Sequence, residues 1–333
     1  MISPNHLWAL VLAGGEGKRL RALTTEPCGT PVPKQFCSLR GERSLIEEAI
    51  DRGAALVDTE RICAIVAAEH QRWWLESAAL TRLLPANLIV QPRNRGTAVG
   101  ILYATLKIAK NDPDAIVLLL PSDHHVDDEG TLRESLVAAL QSGSRHNSGP
   151  LLLGLQPNSA DTELGYIVPG VRDPSGGHRV RRFVEKPSVS HAQWLIESGG
   201  LWNMFIVVAS VQRLVDLFRR SWGALLTEMQ ALVSTRHPRK FQPVDGLTFQ
   251  DRYDLLPAID FSRQVLQGQE SVLRVVRVPP CGWSDLGTPL RVRETLRRLP
   301  PREYAAAVSR RSAYINLAAQ HDRLSVSNGT NRV

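Results

Sequence analysis

Apolar residues in the first half of the chain form two alternating kinds of segment. Short runs that are apolar throughout predict buried strands at residues 7–12, 62–67, 88–91 and 116–120. Between them, apolar residues recur at helical spacing and predict helices at residues 44–56, 70–80 and 97–110. Strands without a polar face, separated by helices, are typical of a parallel sheet covered on both sides. The pattern therefore predicts an α/β fold with a Rossmann-like, mostly parallel mixed sheet flanked by helices.

The pattern changes after residue 150, where the apolar runs become shorter. Strands are predicted at residues 151–155, 165–168, 180–184, 205–209 and 272–278, with helices near 211–219 and 224–234. We expect this half to extend the first sheet. The pattern weakens after Pro300 and Pro301, which favours the end of a domain near residue 299.

A glycine-rich loop follows the first predicted strand and carries the clearest chemical signal. Glycine has no Cβ and tolerates positive φ, so Gly14, Gly15 and Gly17 allow the backbone to approach a bulky anion. Arg19 and Lys34 supply cations for phosphate oxygens. Taken alone, the loop could also be a surface turn with two solvated cations.

Two common glycine-rich phosphate motifs do not fit this loop. A P-loop requires Ser or Thr directly after its lysine, whereas Lys18 is followed by Arg19. A dinucleotide-binding fingerprint requires glycine where Leu20 stands.

Asp123 directly follows the predicted strand at 116–120, as the Gly14 loop follows the strand at 7–12. Ligands of parallel sheets bind beyond the carboxyl ends of the strands, so both segments are expected to open onto one crevice. An aspartate in this place can also simply cap a helix. Adjacent His124 and His125 would point to opposite faces of a strand, so we interpret both as structural rather than as metal ligands.

Composition and charge exclude several classes of function. The four cysteines have no CxxC spacing and are expected to be reduced and structural. No secretory or membrane-spanning segment is apparent, so we expect a cytoplasmic protein without a membrane partner. The net charge is +7, but residues 291–333 hold nine arginines against three acidic residues. That segment contains only two aromatic residues, so we expect a solvated helix with a frayed end rather than a nucleic-acid surface.

The glycine loop and the sequence PKQF at residues 33–36 together resemble the signature of the sugar-1-phosphate nucleotidyltransferases. The PKQF element is similar to that of the mannose-1-phosphate guanylyltransferase branch. Further matches to the family follow in its order, at residues 95–98 (RGTA), 121–124 (PSDH), 183–187 (FVEKP), 201–203 (LWN) and 282–287 (GWSDLG). The resemblance spans residues 7–298, which is too much for a coincidence of short motifs.

This resemblance implies a fold of the nucleotide-diphospho-sugar transferase type and a catalytic domain at residues 1–298. Its nucleotide half would cover about residues 1–150 and its sugar half residues 151–298. After it we expect a basic tail at residues 299–333 and neither the β-helix nor the cupin-like extension of longer relatives. The resemblance leaves open whether the chain forms a homodimer.

The implied reaction transfers a nucleoside monophosphate from a nucleoside triphosphate, GTP being favoured, to a sugar-1-phosphate, with release of pyrophosphate. The residues at the family's motif positions would divide the work as follows. Nucleotide would be bound by Leu12, Ala13, Gly14, Gly15, Gly17, Arg19, Lys34, Gly96, Thr97 and Asp123; sugar phosphate by Gly165, Glu185, Lys186 and Asn203; Mg²⁺ by Asp123 and Asp285; and catalysis would rest on Arg19, Lys34, Asp123 and Asp285. Pro187 favours an extended backbone at Lys186, a fixed direction that suits a ligand.

Several positions depart from the family pattern, namely Ala22, Gly96, Val99 and Met204. They touch the base and sugar pockets, so the substrate pair is less certain than the type of reaction. Thymidylyl, uridylyl or adenylyl transfer remains an alternative, as does a catalytically silent regulatory relative. A glycosyltransferase of related architecture would need an Asp-x-Asp pair, and no second aspartate follows Asp123 at that spacing.

Overall fold

The computed structural model describes residues 6–25, 29–41, 43–143, 148–234 and 247–301. Nine strands form one mixed sheet in the order β3-β2-β1-β4-β8-β5-β9-β7-β6, and β8 also pairs with β6. The strands are β1 Leu7–Ala13, β2 Ile62–Ala67, β3 Leu88–Gln91, β4 Ile116–Pro121, β5 Leu151–Leu155, β6 Gly165–Arg172, β7 His178–Glu185, β8 Leu201–Ser210 and β9 Arg274–Val278.

Helices connect the strands in the first half and surround the sheet in both halves. They are α1 Arg21–Thr24, α2 Leu45–Ala54, α3 Gln71–Glu76, α4 Ala78–Thr81, α5 Gly96–Asn111, α6 Glu129–Gly143, α7 Val189–Glu197, α8 Val211–Ser221, α9 Gly223–Ser234, α10 Phe249–Asp254 and α11 Pro289–Arg298. Short 3-10 turns at Lys18–Leu20 and Lys34–Phe36 follow the glycine loop and the PKQF proline.

The predicted α/β class is confirmed, and the sheet is less parallel than expected. Strands β3, β2, β1 and β4 are mutually parallel, as the alternation of strands and helices predicted. Strand β8 then joins β4 in antiparallel orientation, which makes the two halves one continuous sheet. Of the nine pairings among the described strands, only four are parallel. The β6–β7 hairpin and the returning β8 account for the difference.

Most predicted elements lie where the periodicity put them, but β8 begins at Leu201 rather than at residue 205, and α6 and α7 were not predicted. Two further differences have a local cause. The helix predicted at 70–80 is divided into α3 and α4 because Ser77 adopts an extended backbone. The strand predicted from residue 272 begins at Arg274, since Glu270–Val272 forms a 3-10 turn.

Each face of the sheet buries its own apolar cluster. Alternate residues of β1 point to opposite faces: Leu10 packs into one cluster with α5 and α8, and Ala9 and Val11 into the other. A third, smaller cluster joins Leu20 and Leu23 of the segment after the glycine loop to Leu286 and to α11. This third cluster fixes two loops of the candidate site relative to each other. Within the described ranges, no helix is long and apolar enough to cross a membrane.

Candidate active site

A cavity of about 580 Å³ lies beyond the carboxyl ends of β1 and β4. Among the predicted site residues, those lining it are Leu12, Gly14, Gly15, Arg19, Lys34, Gly96, Thr97, Asp123, Gly165, Glu185, Lys186, Asn203 and Asp285. The other two do not line it. Ala13 is buried in β1, and Gly17, with a left-handed φ of 59°, packs against Lys34. The predicted single crevice is therefore present.

Two glutamines that the sequence did not single out support the glycine loop. The buried Gln35 side chain donates hydrogen bonds to the carbonyl oxygens of Ala13 (2.9 Å) and Gly15 (3.0 Å). On the other side, a Cβ added to Gly14 would lie 2.1 Å from Nε2 of Gln91. A side chain at position 14 would therefore have to displace the Gln91 amide, while the two Gln35 hydrogen bonds hold the loop in shape before any ligand binds. The PKQF motif contained the signal for Gln35, but only the structure shows its partners.

Lys34 connects the two carboxylate-bearing loops. Its buried Nζ lies 2.8 Å from Oδ2 of Asp123 and donates a hydrogen bond to the backbone oxygen of Asp285 at 2.6 Å. Burial alone would raise the pKa of Asp123, but the charge of Lys34, the neighbouring His124 and hydrogen bonds together offset it and hold that pKa below its ordinary value. Asp123 is therefore ionised at neutral pH.

The loops that carry Asp123 and Asp285 are paired to each other. His125 and Ser284 exchange two backbone hydrogen bonds of 2.9 Å. The helix α11 reinforces this pairing, because the Arg298 side chain contacts Asp127 Oδ2 (2.9 Å) in one loop and the Gly282 oxygen (3.0 Å) in the other. Both carboxylates thus belong to one rigid wall of the cavity.

The two adjacent histidines have different surroundings, as predicted from their alternation. His125 is fully buried and hydrogen-bonded to Asp127 (2.8 Å), away from the cavity. His124 instead lines the cavity, and its Nδ1 accepts a hydrogen bond from Trp283 Nε1 (3.2 Å). Burial lowers the pKa of His124 to about 4, so it is neutral and carries its proton on Nε2, 3.7 Å from Asp123 Oδ1. The sequence pattern indicated a structural role for His124 and did not predict that it lines the cavity.

In the second half of the chain, a carboxylate with an altered pKa lies against a glycine. Burial, and next the charge of Asp260, raises the pKa of Glu185 to about 7. A Cβ on Gly165 would be 2.4 Å from Glu185 Oε2, so the glycine makes room for this carboxyl group. Asn203 completes the group, and its Oδ1 accepts a hydrogen bond from the Phe205 amide (3.1 Å). Asp260 also lines the cavity and was not predicted.

The prediction of an extended backbone at Lys186 is wrong. Its φ is +50°, in the left-handed region, and its amide donates a hydrogen bond to the Leu164 oxygen (3.3 Å) where β7 ends. This tertiary contact outweighs the local preference that Pro187 imposes. Phe205 and Leu286 are the other non-glycine residues with positive φ in the described part of the chain. All three lie at the cavity or beside Asp285, and strained backbone of this kind is typical of functional sites.

The amino terminus of α5 forms another part of the cavity wall. Gly96 has a φ of +82°, and a Cβ there would lie 2.3 Å from the Ile259 oxygen. That oxygen accepts a hydrogen bond from the Ala98 amide (3.0 Å). The Thr97 hydroxyl oxygen accepts one from the Phe261 amide (2.8 Å), which leaves its own proton free to donate into the cavity.

Arg19 spans the mouth of the cavity. Its guanidinium forms an ion pair with Glu163, in the loop that precedes β6. Both side chains are about half exposed, and exposed pairs of this kind contribute about 0–1 kcal/mol. A phosphate group can therefore displace Glu163 from Arg19 at small cost.

The donor set fits one magnesium ion held partly by substrate. Asp123 and Asp285 line the same wall and are bridged by Lys34. No group of three or more His, Cys, Asp or Glu side chains arranged to hold a metal occurs in the described ranges. Magnesium commonly uses one or two protein carboxylates and takes its other ligands from phosphates and water. The two aspartates match that requirement.

The nucleotidyl transferase family matches residues 8–298, which is most of the chain. The chain belongs to this family. Among curated proteins, it is 29% identical over 283 residues to xanthan biosynthesis protein XanB of Xanthomonas campestris, covering 84% of this chain and 57% of that protein. It is 29% identical over 233 residues to mannose-1-phosphate guanylyltransferase of Escherichia coli, covering 68% of this chain and 48% of that protein. The chain thus spans about half the length of these curated relatives.

A solved structure shares the fold of this nucleotidyl transferase. The match is a protein of Thermus thermophilus titled mannose-1-phosphate geranyltransferase, with 28% identity and a TM-score of 0.72, covering 89% of this chain and 80% of that one. A Helicobacter pylori protein titled mannose-6-phosphate isomerase has a TM-score of 0.62 at 20% identity, covers 84% of this chain and 99% of that one, and supports the fold alone.

Proposed function

We propose that this protein transfers a guanylyl group from GTP to mannose-1-phosphate, forming GDP-mannose and releasing pyrophosphate. The observation that carries the proposal is the single cavity with Lys34, Asp123 and Asp285 on one wall and Glu185, Lys186 and Asn203 in the other half. The guanylyl and mannose assignments are supported by the PKQF element and by the names of the relatives.

The reaction requires an attack by a sugar-phosphate oxygen on the α-phosphorus of the nucleotide. The bond from that phosphorus to the bridging oxygen breaks, and pyrophosphate carries away the electron pair. Negative charge on the phosphoryl oxygens and on the leaving group has to be stabilised by positioned cations. Lys34 is buried and fixed by two contacts before substrate binds, so its charge needs no reorganisation during the reaction. Arg19 contributes a second cation once phosphate displaces Glu163.

Asp123 and Asp285 would hold a magnesium ion, which would supply positive charge to neutralise the reacting phosphoryl group. In the other half, Lys186 would hold the sugar phosphate. Glu185 would accept hydrogen bonds from sugar hydroxyls, and the Asn203 amide would exchange hydrogen bonds with them. At Gly165 the missing Cβ leaves room for the Glu185 carboxyl group, which would face the sugar there.

A panel of substrates tests this proposal. The protein is incubated with Mg²⁺, each of four nucleoside triphosphates and several sugar-1-phosphates, and pyrophosphate release is measured with and without a chelator. We expect the highest kcat/KM for GTP with mannose-1-phosphate, and no release once Mg²⁺ is removed. A preference for thymidine or uridine triphosphate would overturn the guanylyl assignment. Tight nucleotide binding without any release would instead favour a catalytically silent regulatory relative.

A further inference from the structure

Arg291 contacts the carboxylates of two loops that border the cavity. It is the third residue of α11 and is largely buried, with a side chain only 12% exposed. Its Nη1 donates a hydrogen bond to Oδ2 of Asp161 at 2.7 Å, and its Nε lies 3.0 Å from Oδ1 of Asp285. Both carboxylates are themselves mostly buried. Partly desolvated ion pairs of this kind are screened less by salt than surface pairs.

The two partners come from functionally different segments. Asp285 follows β9 on the wall that holds Lys34 and Asp123. Asp161 belongs to the loop between β5 and β6, which continues through Glu163 to Gly165 at the cavity. Arg291 is therefore a direct link between the loop that leads to the sugar pocket and the carboxylate expected to hold the metal.

One carboxylate oxygen of Asp285 is contacted by neighbouring groups, and the other remains accessible. Oδ1 accepts the Gly287 amide hydrogen bond (3.1 Å) and lies beside Arg291 Nε. For Oδ2, no hydrogen bond to any described residue is found, and a Cβ on Gly287 would lie 2.4 Å from it. Glycine at 287 therefore keeps this oxygen accessible. A carboxylate held through one oxygen presents the other in a fixed direction.

We propose that Arg291 is a positioning residue that orients Asp285 for metal binding and couples that orientation to the Asp161 loop. This inference rests on the proposed function, in which Asp285 is a metal ligand. Arg291 Nε faces Asp285 as an ion pair and makes no hydrogen bond with it. Residues that support a metal ligand from behind commonly change metal affinity by about 10- to 100-fold when they are replaced. Because the planar guanidinium contacts two carboxylates at once, lysine cannot replace it fully.

The test compares Arg291→Gln with Arg297→Gln, a matched change at an exposed arginine of the same helix. Mn²⁺ binding to the complex of protein and GTP is measured by electron paramagnetic resonance, and the Mg²⁺ concentration for half-maximal turnover is measured in parallel. For Arg291→Gln we expect about tenfold weaker Mn²⁺ binding and a matching rise in the Mg²⁺ requirement. Arg297→Gln should leave both unchanged, and Arg291→Lys should restore the affinity in part.

Asp161→Asn gives a second readout, because it breaks the link without touching Asp285. It should weaken Mn²⁺ binding less than Arg291→Gln, and the double variant should be no weaker than Arg291→Gln alone. If the wild type turns over substrate and Arg291→Gln binds metal as tightly as the wild type or more tightly, the positioning role is overturned while the proposed function stands. A wild-type protein that binds neither GTP nor metal would overturn the proposed function and this inference together.

Discussion

At the scale of single residues, the cavity contains charges that are paired within the chain before any substrate arrives. Lys34 pairs with Asp123, Arg291 with Asp285, and Arg19 with Glu163. In two of these pairs at least one of the two side chains is buried. Removing its partner would leave an uncompensated buried charge, which costs stability. Under the proposed function, substrate phosphates and metal have to join these pairs rather than occupy an empty pocket.

The pH dependence of sugar binding follows from Glu185. Its pKa of about 7 means that the carboxyl group is neutral below pH 7 and ionised above it. An ionised carboxylate accepts stronger hydrogen bonds from hydroxyl groups, so we expect the KM for the sugar phosphate to fall several-fold from pH 6 to pH 8. Glu185→Gln removes this titration, and its remaining slope reports the phosphate group of the substrate. Equal slopes for the wild type and the variant would contradict the role of Glu185, while the exposed Glu197→Gln serves as a control.

The sequence predicted which residues carry the chemistry, but it did not predict the contacts that those residues make. The motifs identified Lys34, Asp123 and Asp285, because residue type and order along the chain are visible in a sequence. The contact of Lys34 with the Asp285 oxygen joins residues 251 positions apart, and no local pattern encodes it. The wrong expectation at Lys186 has the same origin, since a bond to the Leu164 oxygen decided its backbone conformation.

At the scale of elements, the helix α11 supports the site from behind its wall. Its apolar residues Val292 and Leu296 pack with Leu286 and with the segment after the glycine loop. Leu299 belongs to the same cluster, so the packed unit extends one residue beyond the predicted boundary at 298. Residues 302–333 lie outside the described part of the chain, and the role of the basic tail stays a prediction.

Truncation of the chain and substitution of Arg298 distinguish the role of α11 from that of the tail. A chain that ends at Pro301 keeps every described contact of α11, and we expect its kcat to match that of the full chain. Arg298→Gln should lower kcat several-fold, because it releases the contacts with Asp127 and Gly282 that pair the two carboxylate loops. The exposed Arg297→Gln again serves as a control. A soluble, folded chain ending at Pro301 that lacks activity would assign the tail to the catalytic unit.

At the scale of the whole molecule, the two halves share one sheet, and the cavity lies across their junction. The alternating pattern predicted the parallel strands of the first half, since each is apolar throughout and followed by a helix. The insertion of β8 between β4 and β5 was not predictable, because strand order depends on pairing between distant segments. That insertion brings Asn203 of β8 into the same cavity as Asp123, which follows β4.

The central claim is that the two halves of this cavity bind separate substrates for one transfer reaction. Lys34→Ala and Lys186→Ala test it most directly, with GTP and mannose-1-phosphate each titrated at saturating levels of the other. Loss of one charge-assisted hydrogen bond costs about 1.5–3 kcal/mol, or roughly ten- to a hundredfold.

We expect Lys34→Ala to weaken GTP binding and to lower kcat, and Lys186→Ala mainly to raise the KM for mannose-1-phosphate. Circular dichroism of both variants checks that they remain folded. Equal defects for both substrates in both variants, with the fold intact, would contradict the division of the site.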